Sequence, residues 1–159
     1  MPCGTPRTLR VNGLALAVSE WGSEGPPLFL LHSLAAHSHW WDWTALFWAA
    51  QHRVVALDFR GHGGSAHVAP PAYGFDEHAA DVVGALDALG FERPVVIGHS
   101  MGGYVGALLA ARRPERMRAL VIADMLTEWT AAHAAMAERQ AGRAPAEFAS
   151  AAEAGSRFR

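Results

Sequence analysis

The run Gly98-His99-Ser100-Met101-Gly102 sets one hydroxyl between small residues in a G-x-S-x-G pattern. It lies between the apolar run Pro94 to Gly98 and the small-residue helical stretch Gly102 to Arg113. That context predicts a sharp strand-to-helix turn. Such a turn forces Ser100 into strained dihedrals, and side chains at 98 and 102 would collide. It also holds the hydroxyl at a helix N-terminus, where partial positive charge favours a developing oxyanion. The chemistry this suits is nucleophilic attack by Ser100, provided that a base removes its proton. The competing reading is a glycine-rich turn around a buried serine.

Other groupings suggest less. Gly61-His62-Gly63-Gly64-Ser65-Ala66 fits a loose G-x-G-x-x-A dinucleotide pattern, but Pro70 and Pro71 follow where a helix should open. His37 and His39, with His32 nearby, lack carboxylates at ligand spacing, so neither a metal nor another cofactor is expected. Trp40, Trp41, Trp43 and Trp48, with Phe47, gather four of the six tryptophans. They read as core packing, with Trp40 or Trp41 as a candidate wall of an apolar pocket.

These residues are carried by an alternation of β-rich runs and helical patterns, which indicates an α/β domain. Thr8 to Asn12 and Leu14 to Trp21 predict a hairpin at Asn12-Gly13. Leu28 to Leu31 reads as a buried parallel strand, and Arg53 to Asp58 as the next. Helices are predicted over Trp41 to Ala50 and Asp76 to Leu89. The second has acids in its first turn, Gly90 as its stop, and a stripe of Ala79, Val82, Val83, Leu86 and Leu89. Met117 to Ala123 makes a sixth strand, and from Thr127 the pattern is helical, interrupted near Gly142 to Pro145.

A chain of 159 residues suits one domain, and 51% apolar residues are ample for a packed core. Thirteen arginines face 15 acids for a net charge of −2, which argues against a nucleic-acid or polybasic membrane surface. No lysine is present, which excludes the phosphate-loop lysine and Schiff-base chemistry. Cys3 stands alone, so neither an internal disulfide nor a Cys-rich zinc site is expected. With no bilayer-length apolar run and no signal-peptide pattern, the expected location is cytoplasmic.

The elbow and three further segments together resemble the α/β-hydrolase family over roughly the first 126 residues. Leu30-Leu31-His32-Ser33-Leu34 resembles its H-G-x element, with Ser33 where the family has Gly. Asp58-Phe59-Arg60-Gly61-His62-Gly63-Gly64-Ser65 resembles its D-x-R-G-H-G-x-S loop, and Ala119 to Asp124 the strand after the nucleophile helix. The fold implied is α/β, a doubly wound, mostly parallel sheet truncated after its sixth strand. Residues 1–126 would be a partial core and residues 127–159 the helical start of a lid.

The resemblance makes Ser100 the nucleophile and the backbone N–H groups of Leu34 and Met101 the oxyanion hole. His32 and Trp41 become candidate substrate-pocket residues. Serine at the elbow argues against epoxide hydrolases and haloalkane dehalogenases, whose nucleophile is a carboxylate. The family's triad runs Ser, acid, His, with the last two beyond the sixth strand. Here Asp124 is the candidate acid, and His133 is the only histidine after Ser100. His133 reads more readily as a lid-helix residue on the face of Trp129 and Met136, and His99 as structural. The function implied is a serine-dependent hydrolase of a small ester or related acyl compound, inactive as this chain alone because the base is missing. The alternative is a truncated or ligand-binding, non-catalytic relative. The apolar sixth strand would form an exposed edge, a route to self-association.

Overall fold

The computed structural model describes residues 3–128, 130–142, 148–150, 153 and 156. Residues Met1–Met125 form one compact unit and Leu126–Arg159 a second. In the first, β1 (Thr5–Val11) and β2 (Leu14–Trp21) pair as an antiparallel hairpin with Val11 opposite Leu14. Its two-residue turn needs positive φ at both positions, supplied by Asn12 (φ 50°) and Gly13 (φ 78°). β3 (Pro27–Leu31), β4 (Arg53–Leu57), β5 (Val95–His99) and β6 (Ala119–Ala123) complete a sheet in the order β1-β2-β4-β3-β5-β6. The four later strands run parallel to one another, and β2 meets β4 antiparallel.

The central strands are buried on both sides, and their alternate residues serve different helices. Phe29, Leu31, Val55, Leu57 and Val96 join one cluster with Val82, Leu86 and Leu89 of α2 (Phe75–Leu89) and with Val105 and Leu109 of α3 (Met101–Arg112). Leu28, Leu30, Val54, Ala56 and Ile97 join the opposite cluster with Trp41 and with Ala45 of α1 (Asp42–Ala49). Helices on both faces of a mostly parallel sheet make the predicted doubly wound architecture.

Several boundaries differ from the sequence reading: β1 starts at Thr5 rather than Thr8, the ends of other elements move by a residue, and two shifts concern α1 and β6. The helix expected from Trp41 begins at Asp42, because Ser38–Trp41 winds as a 3₁₀ turn. The Ser38 N–H donates to Asp58 Oδ1 at 2.5 Å, which fixes where this segment leaves the sheet. The sixth strand starts at Ala119 rather than Met117, since its pairing with β5 begins at Val95 opposite Ala119. β6 is one edge of the sheet, opposite β1, with Val121 and Ile122 exposed.

The second unit contains α4 (Ala131–Ala141). Trp129 and Phe158, two of the aromatics expected in this region, lie outside the described residues. No helix among the described residues is long and apolar enough to cross a membrane.

Candidate active site

Ser100 stands at the N-cap of α3 with φ 50° and ψ −111°, well outside the regions open to an L-residue without strain. Its N–H donates to the Asp124 carbonyl at 2.7 Å, so the loop after β6 braces the turn. The glycines around it are set by close backbone packing. A Cβ on Gly98 would lie 2.3 Å from the Gly102 carbonyl oxygen, and one on Gly102 would lie 2.3 Å from the Leu31 carbonyl oxygen. Neither position has room for a side chain. Ser100 is half-buried, and its hydroxyl makes no hydrogen bond to another described residue.

The pairing of β3 with β5 brings the second segment alongside. Leu31 is opposite Gly98, so Leu34 and Met101 each lie three residues beyond the same rung. Around Leu34 the chain turns at Ser33–Ala36, with Ala35 at φ 58° and Ala36 N–H donating to the Ser33 carbonyl. The Leu34 and Met101 N–H groups donate to no described residue. The first is in an exposed turn, and the second belongs to the opening turn of α3, where helices leave donors without acceptors.

Both side chains suggested for a substrate pocket are buried. His32 is wholly enclosed, with Nδ1 2.7 Å from the Ser33 carbonyl and Nε2 accepting from the Phe59 N–H at 3.1 Å. Those partners assign the proton to Nδ1 and keep the ring neutral. Burial pushes its pKa down from 6.5 to about 4. Trp41 packs at 5% exposure in the α1-side core. The exposed indole is its neighbour Trp40, which stacks on the His99 ring with centroids 5.1 Å apart and planes 6° apart. Consecutive residues of a tight turn point to different sides, so one indole of the pair enters the core and the other faces out.

Asp124 is exposed, and its carbonyl accepts the Ser100 N–H at the elbow. Asp124 adopts φ 56°, which turns the chain away from β6. In the second unit His133 Nδ1 lies 3.0 Å from Thr130 Oγ1.

The loop after β4 is a bracing network. Asp58 Oδ2 accepts the Gly64 N–H, and its carbonyl accepts the Ser65 hydroxyl. Ser65 Oγ accepts the Ala17 N–H of β2 in turn. Arg60 forks onto Asp81 of α2 through Nε and Nη2 at 2.6 and 2.7 Å, and Nη1 donates to the Ala72 carbonyl. Asn12 completes the set with a bond to Asp81 Oδ1. The ion pair is buried, and the Arg60 pKa is raised, first by its bonds to Asp81.

Comparison with known proteins agrees with this geometry. A profile of the alpha/beta hydrolase fold matches residues 26–159. The chain is 36% identical over 109 residues to a fluoroacetate dehalogenase of Burkholderia sp., covering 66% of this chain and 36% of that protein. It is 38% identical over 106 residues to a serine hydrolase-like protein of Danio rerio, covering 65% of this chain and 32% of that one. A crystal structure of a hydrolase from Pseudomonas aeruginosa superimposes with a TM-score of 0.78 at 35% identity, over 87% of this chain and 52% of that one. The chain thus spans well under two thirds of these proteins. Elbow, paired turns and bracing loop, joined to this likeness, show that the chain belongs to the alpha/beta hydrolase fold family.

Proposed function

We propose that this chain carries the nucleophile and oxyanion half of a serine hydrolase acting on a small ester or related acyl compound. The observation that carries the reading is the geometry of Ser100, a strained, half-buried serine opening α3. In this mechanism Ser100 Oγ adds to the substrate carbonyl carbon, and the carbonyl π electrons move to oxygen. Leu34 and Met101 N–H groups hold that oxyanion, each donor worth on the order of 3 kcal/mol in the transition state. The hydroxyl proton passes to a base, which returns it to the leaving alkoxide. The tetrahedral intermediate collapses to an acyl-serine, which water then hydrolyses. Serine at this position separates the reaction from a dehalogenase or epoxide hydrolase route through a carboxylate nucleophile. Exposed Trp40, stacked on His99, is the better candidate than Trp41 for contact with an apolar acyl group.

No imidazole of residues 3–125 hydrogen-bonds the Ser100 hydroxyl, so we expect turnover by this chain alone to be at background. The same observation favours a second reading, a protein that binds its small-molecule ligand without turning it over. Hydrolysis of a short p-nitrophenyl ester, measured beside Ser100→Ala, tests both. Equal background rates together with Ser100-dependent labelling by a fluorophosphonate support the nucleophile reading. Turnover that Ser100→Ala abolishes would show that a base lies within this chain, with His133 the leading candidate and Asp124 the acid to test beside it. Absence of labelling favours the binding reading. The exposed β6 edge supports self-association, which sedimentation velocity would show as a dimer or larger species; a clean monomer would remove it.

A further inference from the structure

We propose that Cys3, His39 and Asp42 form a site for a zinc-like divalent cation that staples the N-terminal segment to the start of α1. One ligand atom from each residue lies within 4.8 Å of the other two. His39 Nδ1 is 3.0 and 3.1 Å from the two carboxylate oxygens of Asp42. Tetrahedral bonds of about 2.0–2.3 Å space ligand atoms roughly 3.3–3.7 Å apart. The imidazole and carboxylate already meet that spacing closely, and the thiol reaches it by a movement of about 1 Å, within the rotation of a surface side chain.

The backbone holds all three in place. Asp42 is the first residue of α1 and is buried, and His39 stands one turn before it in the 3₁₀ segment. Asp58 pins the start of that segment through the Ser38 N–H. Cys3 arrives from the other direction. The next residue, Gly4, is buried with its backbone laid on the Trp21 indole, where a Cβ would stand 2.6 Å from Trp21 Cε2. Glycine at position 4 is what lets the chain run close enough for the thiol to face His39 and Asp42.

The donor set selects the ion. A thiolate, an imidazole and one carboxylate suit borderline-soft zinc, whereas magnesium and calcium need oxygen ligands throughout. Water can take the fourth position. On binding, the Cys3 thiol gives its proton to solvent and coordinates as the thiolate.

The test uses the 159-residue chain, its Cys3→Ser variant and its His39→Gln variant, each titrated with Zn2+ by calorimetry. Both side chains are exposed, so unchanged melting without metal verifies that the variants fold. The wild type is expected to bind one ion per chain and to melt at higher temperature with zinc present. Each variant is expected to bind at least about tenfold more weakly. Co2+ is expected to give a thiolate-to-metal charge-transfer band that Cys3→Ser removes. No binding by the wild type, equal affinity in all three proteins, or a cobalt complex without the thiolate band would each overturn the site.

Discussion

The loop after β4 and the turn after β5 flank the end of β3, and opposite means hold them. In the β4 loop, side chains do the bracing. Asp58, Arg60 and Ser65 spend their polar atoms on the backbone of neighbouring segments and on Asp81. In the β5 turn, the backbone does it. Gly98 and Gly102 are pressed against main-chain oxygens, and Ser100 is anchored through its N–H while its hydroxyl stays unengaged. The difference teaches where reactivity can reside. A group whose bonds are all satisfied is a strut, and a group held only by its backbone keeps its side chain for a ligand.

Four measurements would break or sharpen that contrast. Arg60→Ala should cost most, about 3–5 kcal/mol by urea unfolding, because Asp81 is left charged and buried with only Asn12 for a partner. A loss below 1 kcal/mol would mean that the loop is not braced by side chains. The second is pH. With its native pKa lowered to about 4, His32 resists the proton that the unfolded chain accepts near pH 6.5. Its contribution is fully present above pH 6.5 and is lost as pH falls through about 4, a total of roughly 3 kcal/mol. His78, also lowered chiefly by burial, adds in the same direction. A His32→Gln variant should flatten this acid limb, while a slope equal to wild type would assign it elsewhere.

Third, Gly98→Ala should destabilise by about 1–3 kcal/mol, since its Cβ meets backbone that cannot swing aside. Unchanged stability would show slack in the elbow. The smallest effect is Ser100→Gly, expected to raise stability by up to about 1 kcal/mol through relief of the positive φ. A loss instead would mean that the Ser100 side chain has a structural partner after all.

Much of the framework was readable from local pattern. Asn12-Gly13 signals a tight hairpin, Gly90 stops α2, and the apolar runs at 28–31, 53–58 and 94–98 read as buried strands. The elbow was readable too, because a residue type was dictated by steric space at 98 and 102. Long-range partners were not. Nothing near Arg60 announces Asp81, and nothing near Cys3 announces His39, since those pairs meet only after strands and helices pack. Likewise the neighbours Trp40 and Trp41 look equivalent in sequence, yet one is core and the other stacks on His99.

By itself, then, the sequence determined the alternation of elements, the family's elbow and the residue that opens α3. Those depend on backbone propensity and hydrophobic period, which act over a few residues. Tertiary structure alone decided that His32 is a buried neutral bridge, that Asp124 touches the elbow through its carbonyl, and that Leu34 and Met101 stand past the same rung. Those outcomes depend on register between strands far apart in the chain, and a register exists only once the sheet has formed.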